Sequence, residues 1–315
     1  MTTTAIPGPY ITLKTLPDDG NAADKPRIAP ERTTQALIAR LDAVEQRATK
    51  AAICSVFGPS GSGKSALISH WLATRPKREG CNPQMFPLYI QMGQQKAQLP
   101  QFYSMYRTIW RALHKAAGTE YKLKDRQGKE RYKSFSYRNA EYLKGDIDEL
   151  LERIPINAII IDGADHLDKQ AIEEAITFRV YHDERYGPKP RRALILVATT
   201  EEGKKLQLSE HLMKMGEARA AWSERIEMRF LEEVEFALVW FKLVQVNLKA
   251  EFGPRLDVNK ATAECHQLTR GDWHNIATFA DELENALSFS QGRRVVTREM
   301  LDRVKRKLTK ERIQA

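Results

Sequence analysis

Residues 58–65 constrain the fold of this chain more than any other segment, because they read Gly-Pro-Ser-Gly-Ser-Gly-Lys-Ser and match the pattern GxxxxGK[ST]. An apolar run rich in strand-forming residues, 51–57, precedes them, and an apolar helix is predicted from Ala66. Glycines let the main chain wrap closely around phosphate oxygens, and the N–H groups and dipole of the following helix supply positive potential. The sequence therefore predicts a phosphate-binding loop (P-loop); a Gly/Ser-rich surface loop that contains a lysine is the alternative.

The P-loop assigns a role to each of its residues. We expect Lys64 to reach the β- and γ-phosphates of ATP, and Ser65 Oγ to bind Mg²⁺. The residues expected to contact the nucleotide are Gly58, Pro59, Ser60, Gly61, Ser62, Gly63, Lys64, Ser65 and Ala66.

An acidic residue at the end of a neighbouring buried strand is the second part that such a site needs. Asp162 ends the apolar run 158–162 and is the predicted metal ligand; an ordinary aspartate that starts a turn is the alternative. The next residue, where many P-loop ATPases carry a catalytic glutamate, is Gly163. Hydrolysis is therefore expected to be slow or to use another base, with Asp165 the nearest carboxylate, or a group from a partner. On this reasoning, Gly163→Glu is predicted to raise hydrolysis.

Three further positions are candidates for sensing or completing the nucleotide site. Thr199 and Thr200 end an apolar run and would place a small polar side chain beside the γ-phosphate, although β-propensity alone also explains two threonines there. Arg225 is predicted to point into the nucleotide of a neighbouring subunit, with Arg219 as the substitute. A salt-bridging surface arginine is the alternative for Arg225.

Five apolar runs predict the strands of an α/β fold with a mainly parallel sheet: 51–57, 85–92, 158–162, 194–199 and, more weakly, 226–231. A helix is predicted to begin at Thr33 or Thr34, and only helical periodicity follows residue 232. The predicted domains are a flexible extension (1–31), a P-loop ATPase domain (32–231), a helical lid (232–287) and a basic helical tail (288–315).

Cysteine usage and hydropathy exclude several classes of protein. The three cysteines, at positions 54, 81 and 265, form no CxxC pair. Their spacing therefore predicts neither a structural zinc site nor a redox motif. The N-terminus lacks a signal-like apolar core, and no apolar run approaches the ~20 residues that span a membrane. The sequence therefore predicts a cytoplasmic protein without a membrane role.

The net charge of +9 is concentrated in two segments. Residues 104–145 carry eleven Lys and Arg against four acids, and residues 288–315 carry nine against three. Such concentration is typical of nucleic-acid binding, although a solvated face is the alternative for any isolated charge run. We call residues 104–145 the basic segment. The residues of this segment that are predicted to contact DNA phosphates are Lys115, Lys122, Lys124, Arg126 and Lys129. The apolar stripe of the tail is expected to pack on the lid and to leave its cations outside.

The P-loop, the strand that ends at Asp162, the strand that ends in two threonines, the segment of Arg225 and the helical region follow one another in the order found in AAA+ ATPases. Residues 33–287 therefore resemble an AAA+ ATPase, with a five-stranded P-loop NTPase domain and a smaller all-helical lid. The chain most resembles transposition regulators of the TniB, TnsC and MuB kind in three segments: 33–41, 86–92 with the helix that contains Trp110 and Leu113, and 161–167 (IDGADHL). In the lid, residues 269–276 (TRGDWHNI) resemble the turn that carries a second sensor arginine, and here that position is His274.

The resemblance implies a function and partners. Such proteins bind ATP with Mg²⁺ between subunits and assemble as homo-oligomeric rings or helical filaments on double-stranded DNA. With a target-selection protein, they recruit or activate a transposase. Two other functions remain open from the sequence: an origin-recognition or helicase-loading ATPase, and a signalling or defence ATPase that acts through protein partners without DNA.

Overall fold

The computed structural model describes residues 10–13, 27–75, 84–93, 100–117, 122–124, 130–132, 140–179, 182–183, 187–188, 192–200, 207–289 and 293–314. The strands are β1 (Tyr10–Leu13), β2 (Arg27–Pro30), β3 (Ile53–Gly58), β4 (Phe86–Gln91), β5 (Lys122–Lys124), β6 (Glu130–Tyr132), β7 (Ile156–Asp162), β8 (His182–Asp183), β9 (Gly187–Pro188), β10 (Ala193–Thr199), β11 (Trp222–Glu227), β12 (Glu251–Phe252) and β13 (Val295–Val296). The α-helices are α1 (Glu31–Gln46), α2 (Lys64–Thr74), α3 (Gln101–Ala116), α4 (Ala140–Arg153), α5 (Lys169–Thr177), α6 (Gln207–Lys214), α7 (Gly216–Ala221), α8 (Glu233–Lys242), α9 (Val258–Thr269), α10 (Trp273–Ser288) and α11 (Arg298–Gln314).

The chain forms two compact units. The sheet unit comprises residues 37–58 and 71–227, and the helical unit comprises residues 1–36, 59–70 and 228–315. The P-loop thus leaves the sheet unit at the end of β3 and belongs by its packing to the helical unit. The domain boundaries predicted at residues 32, 232 and 288 stay predictions.

Five parallel strands form the central sheet of the sheet unit, in the order β11-β3-β10-β7-β4. Every residue of β3 and β7 is buried. Strands that are covered on both faces have continuous apolar runs, and for this reason the predictions for β3, β7 and β10 agree with the structure to within two residues at each end. The prediction for β4, an edge strand with partly buried residues, agrees to within one residue at each end. The predicted α/β fold with a five-stranded, parallel sheet is confirmed.

The fifth strand begins earlier than predicted. It was expected at 226–231, whereas β11 covers Trp222–Glu227 at the sheet edge. Polar groups account for the difference: Trp222 Nε1 donates to Ser55 Oγ at 3.0 Å, and Arg40 Nε donates to Glu224 Oε1 at 2.7 Å. An edge strand whose inward positions are filled by specific polar pairs lacks the apolar alternation that marks a strand in sequence.

Helix α1 also begins earlier than predicted, at Glu31 rather than at Thr33 or Thr34. Leu41 and Val44 of this helix are fully buried, and Ile38 is nearly so. The start differs because the chain enters the helix directly after Pro30, which ends β2.

The helical unit has its own core. Apolar residues of α8, α9, α10 and α11 share this core with Ala66 of α2. Val296, Leu301 and Val304 are buried in it, as expected for the stripe of the tail. One feature departs from the all-helical prediction, since β12 and β13 form a two-residue parallel pair.

Candidate nucleotide-binding site

The P-loop connects β3 to α2, and its conformation requires glycine at two positions. Gly61 and Gly63 have φ angles of +79° and +89°, in the left-handed region that side chains disfavour. Helix α2 begins at Lys64, so the first N–H groups of the helix have no partner within it. This is the anion-binding geometry that the motif predicts.

Two side chains of the P-loop fit a phosphate ligand. Lys64 is 7% exposed, and its ammonium donates to the main-chain oxygen of Pro59 at 2.8 Å. Ser62 Oγ is buried and has no hydrogen-bond partner in the part of the chain that the structure describes. A buried hydroxyl without a partner is costly, and a phosphate oxygen satisfies it. Ser65, the predicted Mg²⁺ ligand, is exposed in the first turn of α2.

Asp162 ends β7 beside the ends of two neighbouring strands. It pairs in register with Val197 of β10 and Gln91 of β4. Asp162 is 7% exposed, and its Oδ2 accepts a hydrogen bond of 2.8 Å from the hydroxyl of Tyr89. The sequence gives no signal for Tyr89, which lies 73 residues earlier in the chain. A carboxylate held at the carboxyl edge of a parallel sheet has the position expected of a magnesium ligand.

Gly163 adopts a conformation that excludes a side chain. Its φ is +82°, and an ideal Cβ would lie 2.2 Å from the main-chain oxygen of Met92. The Met92 N–H in turn donates to the Asp162 carbonyl oxygen at 2.7 Å. The expectation that a glutamate at 163 would raise hydrolysis therefore meets a steric obstacle that the sequence does not reveal.

Asp165 is bound to the predicted sensor strand. Its Oδ1 accepts from the Thr199 N–H at 3.0 Å, and Oδ2 lies 4.0 Å from His166 Nδ1. The Thr200 N–H donates to the Gly58 carbonyl oxygen at 2.9 Å. The structure thus brings Asp165, Thr199 and the last residue of β3 together at one edge of the sheet.

Arg225 lies within β11 rather than before it. Its guanidinium carbon is 4.5 Å from the centroid of the Phe57 ring, a cation–π distance, and its carbonyl oxygen accepts a 2.6 Å hydrogen bond from Arg40. The side chain is exposed, as is that of Arg219 on α7. The contact with Phe57 is internal, and a role toward a neighbouring subunit stays a prediction for both arginines.

The start of α10 contacts the P-loop within the helical unit. The Trp273 N–H donates to the Gly61 carbonyl oxygen at 3.0 Å. Asp272 caps the helix by accepting from the N–H groups of His274 and Asn275 at 2.7 and 3.2 Å. His274, the predicted sensor, is exposed at the second position of the helix. The motif 269–276 points to this turn, in which Asp272 and Trp273 are the residues that contact the loop. The sensor role of His274 stays a prediction.

The structure describes only part of the predicted DNA contacts. Lys115 is exposed in the last turn of α3. Lys122 and Lys124 lie on β5, which pairs with β6, but their side chains are outside the description. Arg126 and Lys129 lie outside the described residues.

The cations of the tail are not all left outside, contrary to expectation. Four of them pair with glutamates of the lid: Arg294 with Glu284, Arg298 and Lys305 with Glu264, and Lys307 with Glu282. The tail therefore uses much of its positive charge to bind its own lid, and the case for a DNA contact rests on the basic segment.

Other classes of site find no support within the described ranges. No described helix has the length and apolar character needed to cross a membrane. No cluster of three His, Cys, Asp or Glu side chains capable of holding a metal occurs among those residues. Cys54 and Cys265 are buried, and burial raises the pKa of the Cys265 thiol to about 12, so this thiol stays protonated at neutral pH.

The model of the AAA domain family matches residues 46–218, more than half of the chain. No curated protein sequence matches the chain.

Three solved structures resemble the fold. These are the Drosophila ORC bound to DNA (15% identity, TM-score 0.54, 87% of this chain and 59% of that one), the Aeropyrum pernix ORC1 protein in complex with DNA (14%, 0.58, 89% and 66%) and Cdc6p from Pyrobaculum aerophilum (12%, 0.59, 87% and 66%). The chain spans less than two thirds of the length of these relatives, and at such identities the likeness shows the fold alone.

Proposed function

The chain belongs to the AAA domain family of ATPases, and we propose that it is an ATP-dependent switch that assembles on double-stranded DNA and regulates transposition. In this proposal it recruits or activates a transposase at a target site chosen with a second protein. The observation that carries the nucleotide part is the P-loop, with two positive-φ glycines, a buried lysine and a buried hydroxyl without a partner.

The proposal assigns the following roles at the nucleotide site. The main-chain N–H groups of residues 61–65, with Lys64 and Ser62, bind the phosphates. Ser65 and Asp162 hold Mg²⁺, and Tyr89 orients the Asp162 carboxylate. Bound ATP supplies a hydrolysable phosphoanhydride and the negative charge that distinguishes it from ADP. Asp165 is the carboxylate available to accept a proton from water, since position 163 has no side chain.

Nucleotide binding is tested by isothermal titration with ATP and Mg²⁺. Lys64→Ala is expected to remove ATP binding, while Lys260→Ala, an exposed lysine on α9, retains it. ATP affinity that survives in Lys64→Ala would overturn the assignment of the phosphate site.

DNA binding is supported by the charge of the basic segment and by the likeness to two proteins solved with DNA. ATP is proposed to complete the interface between subunits of a ring or helical filament. Binding of duplex DNA is therefore expected to require ATP or a slowly hydrolysed analogue, and to weaken steeply with salt. Equal affinity without nucleotide, measured by fluorescence anisotropy, contradicts this part of the proposal.

The role in transposition rests on the resemblance of three segments and needs its own test. We expect the ATP-bound protein to co-purify with a transposase, and we expect the Lys64→Ala variant not to do so. Charge reversal at Lys122, Lys124 and Arg126 separates this function from signalling through protein partners, which would survive the reversal.

An origin-recognition ATPase is the second candidate, favoured by the fold likeness to ORC1 and Cdc6p. The two functions differ in how strongly the protein should prefer one DNA sequence over another. A transposition regulator that selects targets through a partner should bind unrelated duplexes with similar affinity, whereas an origin-binding protein should prefer one sequence by on the order of a thousandfold or more.

A further inference from the structure

The P-loop and the start of α10 are in direct contact within the helical unit. Besides the hydrogen bond from Trp273 to Gly61, the indole of Trp273 lies against Gly63, because an ideal Cβ there would be 3.1 Å from Trp273 Cδ1. Ala66, just after the loop, packs in the same core as Trp273. The lid therefore fixes the loop through its main chain, at positions on either side of Ser62.

The carboxylate of Asp272 lies directly against the loop. An ideal Cβ on Gly61 would be 2.3 and 2.4 Å from its two oxygens. Position 61 falls among the unrestricted positions of the GxxxxGK[ST] pattern, yet here only glycine fits beside Asp272. A negative charge thus lies next to the N–H groups that, in the proposed function, bind the phosphates.

We propose that Asp272 is a positioning residue that sets the nucleotide affinity of the P-loop. Its charge opposes the charge of the nucleotide, so the loop binds ATP more weakly than its N–H groups and Lys64 alone would allow. The same residue caps α10, so the cap of this helix and the occupancy of the loop are coupled. A weakly binding loop suits a switch that must release its nucleotide.

The inference rests on the proposed function, and its test uses binding rather than hydrolysis. Asp272→Asn removes the charge and keeps a side-chain oxygen that caps a helix equally well. The matched control is Asp257→Asn, since Asp257 caps α9 in the same unit by accepting from the Lys260 N–H at 3.1 Å. Isothermal titration with a slowly hydrolysed ATP analogue is expected to show affinity higher by on the order of tenfold in Asp272→Asn, and unchanged affinity in Asp257→Asn.

The salt dependence of nucleotide affinity distinguishes an effect of the Asp272 charge from an effect on the shape of the loop. If the carboxylate acts by Coulomb repulsion, the affinity ratio between Asp272→Asn and the wild type falls toward one as KCl rises from about 0.05 M to about 0.5 M. A purely structural effect gives a ratio independent of salt. Thermal unfolding without nucleotide checks that the two variants are equally stable.

The outcomes distinguish this inference from the proposed function. If the wild type binds ATP, Lys64→Ala does not, and Asp272→Asn behaves like Asp257→Asn, the inference is wrong while the phosphate site stands. If Asp272→Asn binds more weakly than the wild type, the carboxylate supports the loop rather than opposing the nucleotide, and the inference is also wrong. If the wild type fails to bind any nucleotide, the proposed function itself fails.

Discussion

The main-chain oxygen of Met92 occupies the space that a side chain on Gly163 would need. An ideal Cβ on Gly163 would lie 2.2 Å from this oxygen, and the φ of +82° adds a conformational cost. Because Met92 also donates to the Asp162 carbonyl, the end of β4 fixes both the metal-binding candidate and the residue that follows it. The end of β4 therefore leaves no room for a side chain at position 163.

Gly163→Glu is expected to destabilise the protein and not to raise ATP hydrolysis. A non-glycine residue in this conformation costs about 1–3 kcal/mol, and displacement of the Met92 carbonyl adds to that cost. Urea unfolding measures the first effect and a phosphate-release assay measures the second.

The control is Gly145→Ala on α4, where an added Cβ meets nothing within 4 Å. This change is expected to stabilise the helix by about 0.5–1 kcal/mol. A Gly163→Glu protein that is as stable as the wild type and hydrolyses ATP faster would show that β4 yields easily and that the missing carboxylate alone limits turnover.

Tyr89→Phe is expected to lower the free energy of unfolding by about 1–3 kcal/mol, because the buried Asp162 carboxylate loses a hydrogen-bond donor. Tyr142→Phe is the control, since Tyr142 is 77% exposed on α4. Equal losses in the two variants, measured by urea unfolding, would remove Tyr89 from the proposed site. The destabilisation is expected to shrink with ATP and Mg²⁺ bound, because Asp162 then has the metal as its partner.

The central strands could be predicted from sequence because both faces are covered. Strands β3 and β7 consist of consecutive buried residues, so their apolar runs lie within two residues of their bounds at each end. The predicted bounds of the edge strand β11 were wrong because Trp222 and Glu224 form hydrogen bonds with Ser55 and Arg40, which come from distant parts of the chain. Local patterns do not contain such pairings.

The same distinction applies to the candidate site. The P-loop is a contiguous motif, and its glycines have the torsions that the motif demands. The Tyr89–Asp162 hydrogen bond joins residues 73 positions apart, and the contact of Asp272 with Gly61 spans more than 200. The expectation for the cations of the tail was wrong for a related reason. Counting charges along the chain cannot reveal that Glu264 pairs with both Arg298 and Lys305.

Asp165 can be tested as a base and as a structural acceptor with two substitutions. Asp165→Asn keeps an oxygen for the Thr199 N–H and removes the basic carboxylate, so stability should be retained while hydrolysis falls by about 10²-fold or more. Asp165→Ala should in addition lose about 1 kcal/mol of stability. Unchanged hydrolysis in Asp165→Asn would assign Asp165 to the sensor strand alone and place the base elsewhere.

Acid should weaken the attachment of α11 to the lid through Glu264. Hydrogen bonds from Lys305 and Arg298 lower the pKa of the Glu264 carboxyl from 4.5 to about 2. Because this pKa is lower in the folded state, the contribution of Glu264 to stability is complete above about pH 4.5 and is lost as the pH falls toward 2. Its size is expected to be about 1 kcal/mol or less, since the pair is partly solvated.

Glu264→Gln removes this contribution at neutral pH, so the difference in stability between the variant and the wild type should narrow as the pH falls from 4.5 to 2. Hydrogen exchange of α11 amides measures the effect locally. Glu299→Gln on α11, at an exposed carboxylate, is the control and should follow the wild type throughout. A difference that stays constant across this window would mean that Glu264 stabilises α11 by packing rather than by its charge.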